Sequence, residues 1–367
     1  MSSIPSPDLD YHALAQDIKA WARELGFADA GITDTDLSSD EPKLLRWLQR
    51  GFHGEMHFMA RHGLKRCRPG QLVPGTLRII SVRMNYLPPG YPPRVNPQQP
   101  GQAFIARYAV GRDYHRLMRR RLQQLAERIE AAVGPFGYRA FVDSAPVLEV
   151  SLARKAGLGC VGKNTLLLHH RSGSYFFLGE LFTDLPLPVD PPNTQNLCGT
   201  CRACLKACPT GAIVGPYQLD ARRCIAYLTI ELEGSIPTEL RPLIGNRVFG
   251  CDECQVSCPW NRFARVTAEP DFHPRRQLHQ AELVELFLWS EETFLARTEG
   301  SAIRRLGHER WLRNVAVALG NCEPSAAAIA ALEQRLQHPS ELVREHVQWA
   351  LARLAAKRAQ SSPRQAR

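Results

Sequence analysis

The sequence predicts an α+β protein in three parts: an α/β core, a cysteine-dense middle and a helical C-terminal end. Three observations carry that prediction. Apolar runs of strand length, at residues 77–84 and 174–182, alternate with stretches of helical periodicity through the first 190 residues. Eight of the eleven cysteines fall between Cys198 and Trp260. Past Pro270 the chain becomes rich in Ala, Leu, Arg and Glu, as a helical region does.

Residues 11–26 read as an amphipathic helix, with Leu14, Ile18, Trp21 and Leu25 at helical spacing and Gly26 to end it. Residues 27–32 predict a short strand, and 44–50 a second helix stopped by Gly51. His53 and His57 follow, but no matching ligand pair lies near them, so they are set aside as metal ligands. Residues 77–84 predict a strand, and 88–101, rich in Pro, Gly and Gln, a loop. A long helix then ends near Val133, with an apolar stripe of Tyr114, Leu117, Leu122, Leu125 and Ile129. Its other faces carry Arg116, Arg119, Arg120, Arg121 and Arg128, either as a solvated face or as a phosphate-contacting surface.

Residues 138–143 predict a strand that delivers Asp143 to its C-terminal edge, a usual place for active-site groups in open α/β sheets. Residues 147–156 are helical. The turn Gly157-Leu-Gly-Cys-Val-Gly162-Lys163-Asn164 resembles a phosphate loop, but Asn164 stands where that loop needs Ser or Thr, so a nucleotide triphosphatase is rejected. The turn reads instead as a way for backbone to approach a large flat ligand. In the C-terminal part, residues 311–319 and 342–351 echo each other, which predicts a short HEAT-like helical repeat. The expected division is 1–190, 191–270 and 280–358, with 359–367 a disordered tail.

The cysteines carry the chemistry. Cys198, Cys201, Cys204 and Cys208, with Pro209 after them, follow C-x2-C-x2-C-x3-C-P, the spacing of bacterial [4Fe–4S] ferredoxins. Cys251, Cys254 and Cys258, with Pro259, repeat it without its first cysteine, whose place Val248 takes. Cys224 is the natural replacement. The cysteine before each proline ligates the other cluster in two-cluster ferredoxins. One cage is therefore expected from Cys198, Cys201, Cys204 and Cys258, and a second from Cys208, Cys224, Cys251 and Cys254. Zinc prefers two C-x2-C pairs with a longer spacer, and disulfides need an oxidising compartment. A bacterial ferredoxin-like domain with two [4Fe–4S] clusters is the result.

The formal net charge is +10, which suggests an anionic partner, most simply nucleic acid. Residues 297–367 hold twelve Arg and Lys against six Glu, so most of the excess lies there. No apolar run reaches membrane-spanning length and no secretion signal is visible, which predicts a cytoplasmic chain.

The combination resembles the epoxyqueuosine reductases over nearly the whole chain. The resemblance rests on Val82-Arg-Met-Asn-Tyr86, on Arg107-Tyr-Ala-Val-Gly-Arg-Asp-Tyr-His115 and on Val142-Asp143-Ser-Ala-Pro-Val-Leu-Glu149. It rests equally on Gly162-Lys-Asn-Thr165, on Gly173-Ser-Tyr-Phe-Phe-Leu-Gly179 and on the two cysteine runs. It implies a cobalamin-binding reductase core, related to reductive dehalogenases, that reduces epoxyqueuosine to queuosine in tRNA anticodons. The clusters would feed electrons to cobalt, whose reduced form attacks an epoxide carbon, and loss of water would leave the alkene. The resemblance places Arg66, Tyr108, Lys163, Asn164, Thr165, His169, Ser174 and Tyr175 at the corrin, together with Asp143. It places the loop of Glu231, Glu233, Gly234 and Ser235 near the tRNA, and Arg222 and Arg223, beside a cluster cysteine, are expected to contact tRNA together with the basic C-terminal end. A flavodoxin or ferredoxin system is the implied reductant, and the chain is expected to be a monomer. A cobalamin reductase acting on a small molecule is the alternative. Asp143 is the expected proton donor, with burial raising its carboxyl above the usual ~3.9 so that it stays protonated. A helix N-cap for the segment near Val147 is the competing role for Asp143.

Overall fold

The computed structural model describes residues 9–91, 101–278 and 281–361. A four-stranded sheet organises the first half: β1 (Asp29–Thr33), β2 (Arg78–Asn85), β3 (Tyr138–Phe141) and β4 (Phe176–Thr183). Their order is β1-β2-β4-β3, and every pairing is antiparallel. The two long strands alternate along their length. Ile80, Val82 and Leu181 face one side, against α1 (Tyr11–Glu24) and α3 (Tyr114–Val133). Ile79 and Phe182 face the other, where α4 (Glu149–Lys155) supplies Leu152 and Ala153. Helices on both faces bury β2 and β4 apart from Arg78, Asn85 and Leu178, which is why they read as continuous apolar runs.

The strands and helices lie within a few residues of where periodicity puts them. The second helix, α2 (Glu41–Gln49), begins earlier than expected because Pro42 suits the first turn. The sheet itself corrects an expectation. An open α/β sheet with parallel strands is absent from the described residues, because a strand buried on both faces carries no mark of its partner's direction. Asp143 still follows the end of β3, but on an antiparallel edge strand. The loop expected at 88–101 lies largely outside the described residues, as does most of the expected tail, α9 below being described to Ser361.

The cysteine-rich middle joins the core by a short parallel pairing of Arg247–Phe249 with Phe104–Ile105. Val248, in the place of the missing cysteine, is thus a fully buried strand residue. The C-terminal part contains α5 (Leu283–Leu288), α6 (Glu291–Arg297), α7 (His308–Asn321), α8 (Ala326–Glu333) and α9 (Glu341–Ser361). The two echoing segments lie in α7 and α9, which pack together. One apolar cluster runs without a break from Ile18 and Leu122 through Phe272 and Phe287 to Trp311 and Val347. Polar anchors reinforce it. Arg313 on α7 donates to the carbonyls of Leu228, Leu232 and Gly234, and Asn314 to those of Thr229 and Val248. No helix among the described residues is long and apolar enough to cross a membrane.

Candidate active site and cluster cages

The eight cysteines fall into two groups of four, each around its own cavity. Cys198, Cys201, Cys204 and Cys258 line one of about 210 Å³. Cys208, Cys224, Cys251 and Cys254 line a second of about 390 Å³. This is the partition that the swapped Cys-Pro residues imply. Cys224 reaches its cage from the N-cap of a short helix, Ile225–Ile230. All eight are free thiols. Burial pushes Cys251 up to about 12 and Cys254 well above the ordinary thiol range. Such sulfurs become thiolates only against positive charge, which is what iron supplies. Among the described residues no three His, Cys, Asp or Glu side chains converge as a single metal ion requires. The sulfurs surround a space instead, which suits a polynuclear cluster and not one zinc.

Lys163 belongs to the first cage. Its backbone N–H donates to Cys198 Sγ at 3.4 Å, and its Nζ donates to the carbonyls of Gly199 and Cys201. The glycines before it do not open toward a ligand. A Cβ on Gly157, Gly159 or Gly162 would strike Pro191 O, Leu168 O or Asn164 Oδ1 at 2.6–2.9 Å. The expected ligand-facing glycine turn is therefore corrected to a tightly packed support for the cage.

The second cavity extends beyond its cysteines. Tyr86, Tyr114, Phe176 and Phe177 give it an aromatic wall, and Tyr108, Asn164, Thr165 and Ser174 complete it. Four of the nine expected corrin residues therefore gather here. Tyr175 lies behind the wall, buried edge-on against Tyr86 and under the Arg107 guanidinium. His169 holds a turn, its Nδ1 2.8 Å from Ser172 Oγ, and burial lowers it to about 4. Arg66 lies in a different cavity, with Asp143, where its guanidinium donates to Ala145 O and Phe58 O. Thr165 and Asp252, both non-glycine residues at positive φ (+70° and +57°), sit on the cavity wall. Strain of that kind persists where surrounding contacts over-determine it. For Asp252 they are the buried Arg107 backbone N–H at 2.8 Å and guanidinium at 3.2 Å.

Asp143 is a third such residue, at φ +43°. Its N–H donates to Glu149 Oε1 at 2.6 Å, which pins the turn. Tyr114, part of the cavity wall, donates its hydroxyl to Asp143 Oδ2 at 2.5 Å. His115 Nε2 lies 3.1 Å from the same oxygen, and His115 Nδ1 lies 2.7 Å from Asp113 Oδ1. Arg305 closes the chain by pairing with Asp113.

The electrostatics correct the expectation for Asp143. Burial does push its carboxyl up, but hydrogen bonds from His115 and Tyr114 and the charge of His115 outweigh it and hold it below the usual range. The proton resides on His115. Burial opposes its charge, yet its two carboxylate partners raise it to about 9. Glu149 is the neutral carboxyl, pushed to about 8 by burial and then by the charge of Asp143. Behind it Glu180 is wholly buried and shifted the same way. The capping alternative also fails, since Leu148 is the N-cap of α4 and no side chain caps it.

Beside Asp143 opens a groove of about 1230 Å³, lined by Arg112, Arg116, Arg119, Arg120, Arg275, Arg304 and Arg305. Three of the five helix arginines thus share one surface. Arg121 and Arg128 instead pair with Glu269 and Glu24. Arg222 pairs with Asp220, and Arg223 donates to Thr210 O. Glu231 faces the charge of Asp143, which with burial raises its carboxyl. Glu233 donates its N–H to Glu55, Gly234 is held by Arg313, and Ser235 donates to Glu345. Sequence reasoning placed Tyr114 in an apolar stripe only, quoted Arg112, His115 and Glu149 within motifs without a role, and missed Arg275, Arg304 and Arg305. The signal available for these was the density of arginine near 112–120 and 304–305.

Residues 66–144 match the family described as "Epoxyqueuosine reductase QueG, DUF1730", and residues 197–261 match a "4Fe-4S double cluster binding domain". The epoxyqueuosine reductase of Pseudomonas aeruginosa is 65% identical over 93% of this chain and 94% of its own length. That of Escherichia coli K12 is 58% identical over 96% and 93%. Among solved structures, an epoxyqueuosine reductase with an epoxyqueuosine-modified tRNA-Tyr stem loop is 28% identical, with a TM-score of 0.84 over 94% of this chain and 91% of its own. A Bacillus subtilis epoxyqueuosine reductase, described with its aspartate catalytic loop swung out of the active site, is 27% identical, with a TM-score of 0.85 over 97% and 96%. The chain belongs to the epoxyqueuosine reductase family.

Proposed function

We propose that this chain reduces epoxyqueuosine to queuosine in tRNA, with cobalamin and two [4Fe–4S] clusters as cofactors and Asp143 as the group that protonates the epoxide oxygen. The observation that carries the reading is Tyr114: it forms part of the second cavity's wall and hydrogen-bonds Asp143. Proton delivery and cofactor space therefore meet at one side chain. The aromatic wall and the polar Asn164, Thr165 and Ser174 suit a flat macrocycle rimmed by amides. Bound cobalamin supplies the nucleophilic reductant, and the clusters supply its electrons.

The chain's own residues supply position and protons. Deoxygenation consumes two electrons and two protons per epoxide and releases water. Asp143 stands where an anionic oxygen can be protonated as its bond to carbon breaks. Glu149 holds the Asp143 turn by its backbone N–H, and Tyr114 aims the carboxyl. The arginine groove offers phosphate contacts to an anticodon stem-loop beside the reacting base. The division expected from the sequence then becomes one of labour. Residues 1–190 hold substrate and corrin, 191–270 hold the clusters, and the HEAT-like helices of 280–358 contribute Arg304 and Arg305 from their margin. The chain acts as a cytoplasmic monomer reduced by a flavodoxin or ferredoxin.

Anaerobic protein tests this directly. Its visible spectrum should combine corrin bands with a broad iron–sulfur shoulder, and it should convert epoxyqueuosine in tRNA when given a low-potential reductant. An iron–sulfur shoulder alone, after reconstitution with cobalamin, would remove the corrin from the reading.

A further inference from the structure

The reaction needs two protons per turnover, and Asp143 alone does not hold even one at neutral pH in this arrangement. His115 touches Asp143 on one side and Asp113 on the other, at 3.1 Å and 2.7 Å. Both ring nitrogens therefore face carboxylate oxygens, an arrangement that only the doubly protonated ring satisfies on both sides. Tyr114 stacks on the same imidazole at 4.2 Å and is itself stacked on Phe177 at 3.8 Å, so the ring cannot easily turn away. His115 also lines the arginine groove, which gives it an outlet to solvent.

We propose that Asp113, His115 and Asp143 form a proton relay, in which His115 stores the proton that Asp143 delivers and refills from the groove for the second. This rests on the reading of Asp143 as the group facing the epoxide. In the first transfer the His115 Nε2–H bond breaks as a proton joins the Asp143 carboxylate, and the neutral acid passes a proton to the oxygen as its first C–O bond breaks. The imidazole takes a proton from water in the groove. A second pass protonates the hydroxyl as it leaves as water, and the two electrons from the reductant complete the alkene. Asp113 never leaves its charged form. Burial pushes its carboxyl up, but hydrogen bonds from His115 and the charge of Arg305 outweigh it and hold it at about 2. His115 is thus a positioning and storage residue acting through Asp143.

The charged groups facing His115 from each neighbouring element are few. Asp113 caps its own helix, Asp143 follows β3, and Arg305 comes from the Ala302–Leu306 turn, with Nη2 3.3 Å from His115 Nδ1. Arg112 and Arg116 share the groove. The two carboxylates set the stored proton, and burial limits how high its affinity rises.

The test is the ratio of His115→Gln to parent turnover on epoxyqueuosine tRNA, read from pH 5 to 9. The relay predicts a ratio that falls by about 10²-fold toward the alkaline end, because Asp143 then depends on its own low affinity for protons. A ratio that is the same at every pH, whether high or low, would overturn it. A second measurement is independent of activity. The thermal stability of parent relative to His115→Gln should be highest below pH 6.5 and should decline as pH rises through about 9, since the folded state holds the proton more tightly. A stability difference that does not vary with pH would equally overturn the stored proton. If the parent protein fails to reduce epoxyqueuosine while this stability signature is present, the functional reading fails and the stored proton stands.

Discussion

Cys224 lies beside Cys251 in the wall of the second cavity, and Cys208 reaches the same cavity from the other cysteine run. The assignment of Cys224 predicts that Cys224→Ala loses one cluster and keeps the other. Iron should fall from about eight to about four per chain by these ligand counts. Iron that stays near the parent value would remove Cys224 from the cage.

Asp143→Asn separates chemistry from folding. Asparagine tolerates positive φ, and Asp143 caps no helix, so the fold should persist. An amide cannot carry the proton. Single-turnover reduction of epoxyqueuosine should drop by about 10²-fold or more, with the visible spectrum unchanged. A rate close to the parent's would make Asp143 structural.

Glu149→Gln should raise stability at neutral and alkaline pH. The folded carboxyl titrates near 8 while the unfolded one titrates near its ordinary 4.5. Between those values only the unfolded chain releases the proton, so the native state loses stability as pH rises. The amide keeps an oxygen for the Asp143 N–H and removes the titration. The melting temperatures of variant and parent should diverge from pH 5 to pH 8, the variant being higher.

Arg119→Ala combined with Arg120→Ala should flatten the salt dependence of tRNA binding. Each lost phosphate contact lowers the slope of log K against log salt by about one. Both arginines line the groove. An unchanged slope would place the tRNA backbone elsewhere.

Arg313→Met tests how the C-terminal helices are attached. The substitution fills much of the volume but strips hydrogen bonds from the buried carbonyls of Leu228 and Leu232, at about 1–3 kcal/mol each, and from the exposed Gly234 carbonyl, which water can satisfy. A loss of at least about 2 kcal/mol in anaerobic chemical denaturation is expected. A smaller effect would mean that water replaces the guanidinium.

Local chemistry was legible. The cysteine spacing anticipated how the thiols group around two cavities, and the apolar runs placed β2 and β4. What depends on distant partners was not. Asp143 is ionised because Tyr114 and His115, on a helix that begins well before it, aim at one of its oxygens. Only the folded chain brings them there. The direction of the sheet was hidden for a similar reason, since burial of Ile79 and Ile80 on opposite faces is the same in parallel and antiparallel company. Arg66 and His169 were placed at the corrin by the resemblance alone; in the fold Arg66 donates to Ala145 O and Phe58 O, and His169 holds a turn with Ser172. The glycines of 157–162 signalled close approach correctly, but the approaching atoms are the protein's own.

The unbroken apolar cluster from Ile18 to Val347 has a consequence for synthesis. A nascent chain that has emerged only as far as Pro270 exposes the surfaces that Phe287, Trp311 and Val347 later cover. It also leaves the Leu228, Leu232 and Gly234 carbonyls without Arg313. The cysteines leave the ribosome before the helices that brace their segment. Folding is completed only after α7 is translated, so a chain that stops near residue 270 is a substrate for proteases and not a smaller working reductase.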